Sequence, residues 1–336
     1  MSIQDIKKKQ SSSRSLFKSK VLITGGTGTF GSAFLDKCLE EEADEIRIFS
    51  RDEKKQYDMA QHYKKYPNVK FYLGDVRDKS TIDAAMYGVD YVFHAAAMKQ
   101  VPACENFPME AMKTNIVGSN NVLTSAVQRR VKKVVVLSTD KAVYPTSAMG
   151  MTKAYMEKLA LQRAAENSGT AVCITRFGNL VASRGSAGPL FIEQVQSGMP
   201  ITITDPGMTR FMMTVGDAVD LVAEAFSIGE NGDLLVKRSK ACTIGDFANA
   251  VCRYMDLPDD YPKEIIGIRP GEKMHEMLLT HEEARKAVTC GNFIIVKQNP
   301  IDWHGALLPY ESDKAERMNV DDVYRLIESV FGEGVV

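Results

Sequence analysis

The run Ser138-Thr139-Asp140-Lys141 sets hydroxyls, a carboxylate and an amine side by side, and a second lysine, Lys153, follows twelve residues later. Acid, base and cation in so short a stretch are what proton transfer to and from carbon requires. The stretch comes directly after the apolar β-branched run Val134-Val135-Val136, which reads as a buried parallel strand. Ligands of open α/β sheets bind beyond the carboxyl ends of such strands. An ordinary loop ion pair would use the same Asp140-Lys141 residues, so the surrounding elements decide between the two. Lys153 is expected to open a helical pattern through Met156 and Leu159 to about Glu166.

The whole chain narrows the classes open to it. Its 336 residues suffice for one large domain or two modest ones with ample core. Apolar residues make up 44% and charged residues 25%, which is ordinary for a globular protein and sets disorder aside. A net charge of −1 without a long basic block gives no electrostatic basis for binding nucleic acid. Residues 1–18, with Lys7-Lys8-Lys9 and Ser11-Ser12-Ser13, are expected to form a flexible leader that lacks the apolar core of a signal peptide. No apolar run approaches the ~20 residues that span a bilayer, so no membrane association is expected. The six cysteines lack C-x-x-C spacing, and neither a metal site nor a disulfide framework is signalled. A cytoplasmic setting is the expectation.

Upstream lies a phosphate-binding pattern. Lys20 to Thr24 reads as a strand, followed at once by Gly25-Gly26-Thr27-Gly28-Thr29-Phe30-Gly31 and a helical stretch from Ser32 to Leu39. A glycine-rich turn between first strand and first helix suits a pyrophosphate at the helix N-terminus. The second strand, Glu45 to Phe49, ends about 20 residues on, where the ribose of a dinucleotide lies. Ser50-Arg51 stands there in place of a carboxylate, and a guanidinium can hold a 2′-phosphate, so NADP is expected rather than NAD. A solvated helix start over Arg51 to Lys55 is the other reading of those residues.

Strand and helix continue to alternate. Val69 to Leu73 ends at Gly74-Asp75-Val76-Arg77, with Asp75 a candidate for the adenine amine; Tyr91 to Phe93 ends at His94-Ala95-Ala96-Ala97, whose small residues suit close approach to a cofactor. His94 is expected to be structural, Lys99 to reach substrate or solvent, and Asn115 to orient a carbonyl or water. Alternation to a fifth strand, Lys133 to Leu137, implies a doubly wound parallel sheet. After a further strand over Val172 to Thr175 the texture changes. Ala182 to Ser186 and Ile203 to Phe211 read as polar loops, Val215 to Phe226 as helix, Glu282 to Val288 as helix, and Val320 to Phe331 as a last helix.

In this order and spacing the motifs resemble those of an extended short-chain dehydrogenase/reductase, and more narrowly the soluble, inverting, capsule-type UDP-N-acetylglucosamine 4,6-dehydratases of bacterial surface-glycan synthesis. The resemblance covers roughly residues 20–280. It rests on Thr24-Gly25-x-x-Gly28-x-x-Gly31, Phe49-Ser50-Arg51-Asp52-Glu53, Gly74-Asp75-Val76-Arg77 and His94-Ala95-Ala96-Ala97-Met98-Lys99. To these it adds Ser138-Thr139-Asp140-Lys141, Arg176-Phe177-Gly178-Asn179, Asp205-x-x-Met208-Thr209-Arg210-Phe211 and Arg269-Pro270-Gly271-Glu272-Lys273. The implied fold is α/β: a Rossmann-like, NADP-binding domain over 19–178 plus about 212–237, with a smaller α/β substrate domain over 179–211 plus about 238–336. A homo-oligomer is also implied, with a hexamer among the forms the resemblance suggests.

The implied chemistry is hydride transfer from sugar C4 to the cofactor, loss of water across C5 and C6, and hydride return to C6. By resemblance, Lys141 is the base at C5, Asp140 the acid for the departing hydroxyl, Thr139 a hydrogen-bond partner of the C4 oxygen, and Lys153 the holder of the nicotinamide ribose. Asn179, Arg184, Arg210, Arg269 and Glu272 would bind the UDP part. A lysine base needs a pKa depressed by burial or by neighbouring positive charge, and Lys153 with oxidised nicotinamide is expected to supply that charge. One position departs from the superfamily: Met149 stands four residues before Lys153, where a catalytic tyrosine is usual. Asp140, Lys141 through a water, or Lys153 is left as base for the C4 hydroxyl; Tyr144 is close in sequence, but Pro145 breaks its helical register. The resemblance implies that retaining relatives carry an N-terminal membrane region, which favours inversion here. A retaining dehydratase, a UDP-hexosamine 4-epimerase and a cofactor-binding sensor or scaffold without chemistry are the alternatives.

Overall fold

A computed structural model describes residues 16, 18–183, 185–258, 260–298 and 307–332. Most of the expected leader, 1–15 and 17, lies outside the described residues. Leu16 is fully buried and its N–H donates to Glu41 Oε2 at 3.0 Å, so packed chain is present before Lys20.

The first half alternates as β1 (Lys20–Thr24), α1 (Thr29–Glu40), β2 (Glu45–Ser50), α2 (Glu53–His62), β3 (Val69–Leu73), α3 (Lys79–Ala85) and β4 (Tyr91–His94). Then come α4 (Val101–Asn106), α5 (Pro108–Met112), α6 (Ser119–Gln128), β5 (Lys133–Leu137), α7 (Ala148–Ala165) and β6 (Ala171–Arg176). The second half runs β7 (Asn179–Leu180), α8 (Ala187–Gln196), β8 (Ile201–Ile203), β9 (Thr209–Met213), α9 (Val215–Ile228), β10 (Leu234–Lys237), β11 (Ala241–Thr243) and α10 (Ile244–Tyr254). It closes with β12 (Lys263–Ile265), β13 (Met277–Leu279), α11 (His281–Ala284), β14 (Ala287–Cys290), β15 (Phe293–Val296), β16 (Tyr310–Glu311) and α12 (Val320–Phe331).

The large sheet has the order β14-β15-β10-β6-β5-β4-β1-β2-β3, parallel from β10 to β3. Its strands are apolar on both faces because both are covered. In β5, Val135 faces a layer shared with Phe34 of α1 and Val222 of α9. Val134 and Val136 face the opposite layer, with Ile82 of α3, Leu123 of α6 and Met156 of α7. The strand order reverses between β1 and β4, and ligand crevices form at such switch points. A second lobe packs α8, α10 and α12 around Phe191, Phe247, Val323 and Ile327, with the small sheets β11-β9-β7 and β12-β8 beside them.

Four sequence expectations change. The stretch 238–336 is not confined to the smaller lobe, since β14 and β15 extend the large sheet antiparallel beyond β10. Of the loop expected over Ile203 to Phe211, Thr204 to Met208 is loop, while Ile203 ends β8 and Thr209 to Phe211 begin the buried strand β9. The helix expected over Glu282 to Val288 stops at Ala284; its Thr280–Glu283 capping box starts it, but Val288 and Thr289 pair with β15. Lys153 does not open its helix. Ser147 does, its hydroxyl accepting from Gly150 N at 3.1 Å, so α7 begins at Ala148.

Candidate active site

Beyond β5 the chain stays tied to β6: Ser138 N donates to Thr175 O at 2.7 Å and Asp140 N to Phe177 O at 3.0 Å. Thr139 caps a single 3₁₀ turn, Asp140–Ala142, by accepting from Lys141 N. This turns Asp140 inward, where it is fully buried. Asp140 Oδ1 accepts from Thr139 Oγ1 at 2.9 Å and from Lys141 Nζ at 3.1 Å. Oδ2 is buried and has no hydrogen-bond partner among the described residues. Lys141 Nζ also donates to Asn179 Oδ1 at 3.3 Å and lies 3.3 Å from Glu276 Oε1. Sequence reasoning missed Glu276. Its signal, a carboxylate three residues after Lys273, is too common to single out.

Burial, aided by the Glu276 charge and opposed by Lys141, pushes the Asp140 carboxyl above the usual range. Burial works to lower the Lys141 pKa, but Asp140 and Glu276 outweigh it, and the amine is held as an ammonium. A positive neighbour, Arg210, does lower the Lys141 pKa, but less than the two carboxylates raise it, so the expected net depression is corrected to a rise.

Lys153 is buried in α7, and its Nζ donates to Leu137 O at 2.6 Å and contacts Met156 Sδ at 3.4 Å. Burial, partly offset by Glu157, lowers its pKa to about 8. One turn earlier, Met149 packs with Cys104 and Ala111 in an apolar cluster against α4 and α5. His94 is structural, as expected: Nδ1 pairs with Thr24 Oγ1 at 2.7 Å and Nε2 with Ser119 Oγ at 2.8 Å. Burial and Lys153 depress its pKa to about 3, so the ring is neutral. Asn115 lies in a π-turn, Lys113–Gly118, and clamps Met98 by accepting from its N–H at 2.8 Å and donating to its carbonyl at 3.0 Å. Such turns recur at functional sites.

A buried ionic network holds this constellation from behind. Glu157 Oε1 accepts from Ser138 Oγ at 2.5 Å, and Arg176 donates to both Glu157 oxygens at 3.0 and 2.6 Å. Arg176 also donates to Leu278 O and to both oxygens of Glu283. It thereby fastens α7 and the turn after β5 to β13 and α11.

Seven of the residues expected to hold a cofactor meet at the switch point. Gly25, Ser50, Arg51, Asp75, Val76, Ala96 and Ala97 line one cleft of about 130 Å³ with Phe49, Gly74 and Thr114. A Cβ on Gly25 would lie 2.8 Å from Ala96 Cα, and one on Gly31 would lie 2.5 Å from Gly26 Cα, so the turn tolerates no side chain at either. Gly28 is the N-cap of α1 and offers no side-chain cap, leaving the first N–H groups, at Thr29 and Phe30, for an anion. Thr27 Oγ1 pairs with Ser50 Oγ at 2.8 Å. The Phe30 ring is core, stacked 5.5 Å from Phe177, and Ala95 packs beside the same core, so both offer backbone alone. Asp52 caps α2 through Lys55 N, so the helix start expected over this stretch is present and Arg51 stands just before the cap. Arg51 is largely exposed and lies 3.6 Å from Asp75, whose carboxylate is gripped by Arg77 at 2.6 to 3.0 Å. These features fit a dinucleotide: an uncapped helix N-terminus, a side-chain-free turn and a guanidinium at the ribose end.

The substrate-lobe residues are more dispersed. Asn179 meets Lys141, and Arg210 is buried, its Nη1 donating to Thr209 O at 2.8 Å and Met274 O at 3.2 Å. Lys99 and Arg269 are exposed, and Glu272 Oε2 accepts only the local Arg269 N–H, at 3.3 Å. Their loop is nonetheless docked on the site, since Lys273 Nζ donates to Val143 O at 2.6 Å and Thr146 Oγ1 to Gly271 O at 3.0 Å. Arg184 lies outside the described residues. Among those residues no helix is long and apolar enough to cross a membrane.

Residues 21–298 match the family described as polysaccharide biosynthesis protein. The chain belongs to that family. It is 47% identical over 325 residues to a protein of Rickettsia conorii named UDP-glucose 4-epimerase, covering 91% of this chain and 94% of that one. A Rickettsia bellii protein of the same name is 48% identical with the same coverage. Pen from Bacillus thuringiensis superposes with a TM-score of 0.89 at 35% identity, over 94% of this chain and 98% of that structure. DesIV, a dTDP-glucose 4,6-dehydratase from Streptomyces venezuelae solved with NAD and TYD bound, shares the fold at 22% identity, a TM-score of 0.69 and coverages of 76% and 86%. The fold is that of the short-chain dehydrogenase/reductase-type nucleotide-sugar epimerases and dehydratases.

Proposed function

We propose that this nucleotide-sugar-modifying enzyme carries out the NADP-dependent 4,6-dehydration of UDP-N-acetylglucosamine with inversion at C5. The product would be a UDP-2-acetamido-2,6-dideoxy-L-arabino-4-hexulose for surface-polysaccharide synthesis. One observation carries the reading: a fully buried Asp140 carboxyl with one oxygen unpartnered, and a lysine amine 3.1 Å from the other. Exchange of configuration at C4 needs no acid–base pair for C5 and C6. Elimination of water needs both at once.

In this reading the Lys141 amine takes the C5 proton while the protonated Asp140 carboxyl delivers its own to the C6 hydroxyl. The C5–H and C6–O bonds break and water leaves. Burial favours the neutral Asp140 that the role demands. Thr139, now bonded to Asp140, turns its hydroxyl to the C4 oxygen, and Asn179, Arg210, Arg269, Glu272 and Lys99, with Arg184, contact the UDP-sugar. Bound NADP would supply hydride acceptance from C4 and its return to C6; the C4 hydroxyl proton passes to Asp140, to Lys141 through a water, or to Lys153, and C5 regains a proton from solvent on the face opposite the one it left. Arg51 would pair with the 2′-phosphate, the N-terminus of α1 would meet the pyrophosphate, and Lys153 would hold the nicotinamide ribose.

The names of the Rickettsia relatives favour a second reading, a UDP-hexose 4-epimerase on the same scaffold. Incubation with UDP-N-acetylglucosamine in deuterated water, followed by proton NMR, separates the two. A 4-keto-6-deoxy product with deuterium at C5 and L-configuration is expected. Retained D-configuration would overturn inversion, and a C4 epimer without C5 deuterium would establish the epimerase.

A further inference from the structure

Glu276 is the carboxylate that the proposed roles leave unused. It is buried, its N–H accepted by Ser312 Oγ at 2.9 Å, and it stands directly before β13. Its Oε1 lies 3.3 Å from Lys141 Nζ, and its Oε2 lies 3.4 Å from Lys273 Nζ. The same residue lines a cavity of about 310 Å³ whose other walls include Tyr144, Lys273, His275, Glu311 and Asp313. Neither Thr139, Asp140, Lys141 nor Asn179 lines that cavity. Glu276, although buried, is thus at once in contact with the catalytic amine and part of the wall of a polar chamber that the amine does not line; its Oε2 has no hydrogen-bond partner among the described residues.

We propose that Glu276 is a positioning residue for Lys141 and the group that passes its protons to solvent through this cavity. The inference rests on the dehydratase reading for the step it serves. Lys141 can take a proton from C5 only as the neutral amine, and between two carboxylates it is an ammonium. Transfer to Glu276 leaves Lys141–NH₂ and Glu276–COOH; water in the cavity then takes the proton and restores the carboxylate. The amine, after receiving the C5 proton, discharges by the same path. Burial works to raise the Glu276 pKa, but Lys141, Arg210 and Lys273 outweigh it and hold Glu276 as a carboxylate, so it carries the proton only in transit; Asp140 lies beyond the amine, and His275, Glu311, Asp313 and Lys314 are on the chamber wall. Tyr144, which also lines the cavity, has φ +44°, a conformation non-glycine residues rarely hold, and its side chain is exposed.

Two arms test this. In protein labelled with ¹³C at lysine Cε, with the Lys141 signal assigned by its loss in Lys141→Met, Glu276→Gln should lower the midpoint of that signal by at least one pH unit. In turnover of UDP-N-acetylglucosamine, Glu276→Gln should reduce kcat at least tenfold with KM within threefold, and added formate should restore activity to Glu276→Ala through the cavity. Thermal melts of each variant identify misfolding, and Glu276→Asp replaces any that misfolds. An unchanged Lys141 midpoint overturns the positioning role, and loss of kcat without formate rescue overturns the proton path. If the native chain does not convert UDP-N-acetylglucosamine while the midpoint still falls, the dehydratase reading fails and the positioning of Lys141 stands.

Discussion

Gly150, in the first turn of α7, packs directly on the carbonyl oxygen of Lys141; a Cβ built on it would overlap that oxygen. The helix that carries Met149 and Lys153 thus touches the turn that carries Asp140 and Lys141 backbone to backbone. No side chain separates the two halves of the site, and small shifts in α7 move both.

Gly150→Ala is therefore expected to cost about 1–3 kcal/mol, the range for overpacking a close-packed contact. The displaced turn should also lower kcat at least tenfold while leaving the N-terminal cofactor cleft intact. Denaturant unfolding and turnover measure the two effects. Native-like stability together with native kcat would contradict the contact.

Arg176 joins Glu157 to Glu283; Arg176 and Glu157 are buried and Glu283 is a quarter exposed, so water can replace a lost partner only on the Glu283 side. Arg176→Met should destabilise by roughly 3–5 kcal/mol, because the buried Glu157 carboxylate is left uncompensated. Combining it with Glu157→Gln and Glu283→Gln should recover a large part of the loss. Urea midpoints of the single and triple variants decide whether the network acts as a unit.

Lys153 titrates near 8 in the folded chain against an ordinary 10.5. Between these values the unfolded chain binds more protons, so its contribution to stability rises as pH rises through that window. The unfolding free energy of the native chain minus that of Lys153→Met should therefore increase from pH 7 to pH 10, by at most about 1.4 kcal/mol per unit. A flat difference would show that the amine is not held at a depressed pKa.

Arg51 has no ladder or packing role, being exposed and 3.6 Å from Asp75. Arg51→Ala should weaken NADP binding at least tenfold, with NAD binding changed less than threefold, as titration calorimetry would read. Equal losses for both cofactors would remove the argument for the 2′-phosphate.

Sequence periodicity and punctuation were enough for the α/β class and the first five strands. Val134-Val135-Val136 is apolar on both faces because both are covered, and Gly25 and Gly31 sit where a Cβ has no room. Asp140 and Lys141 were legible because they are adjacent in sequence and follow a strand end. Pairings between distant segments carry no local signal, and the structure alone decided them. Glu276 reaches Lys141 across 135 residues, Arg176 reaches Glu283 across 107, and β14 and β15 return to the sheet after the second lobe has been built. The same pairings reversed the expected electrostatics of Lys141. A pKa depends on charges within a few ångströms, and sequence distance does not report them.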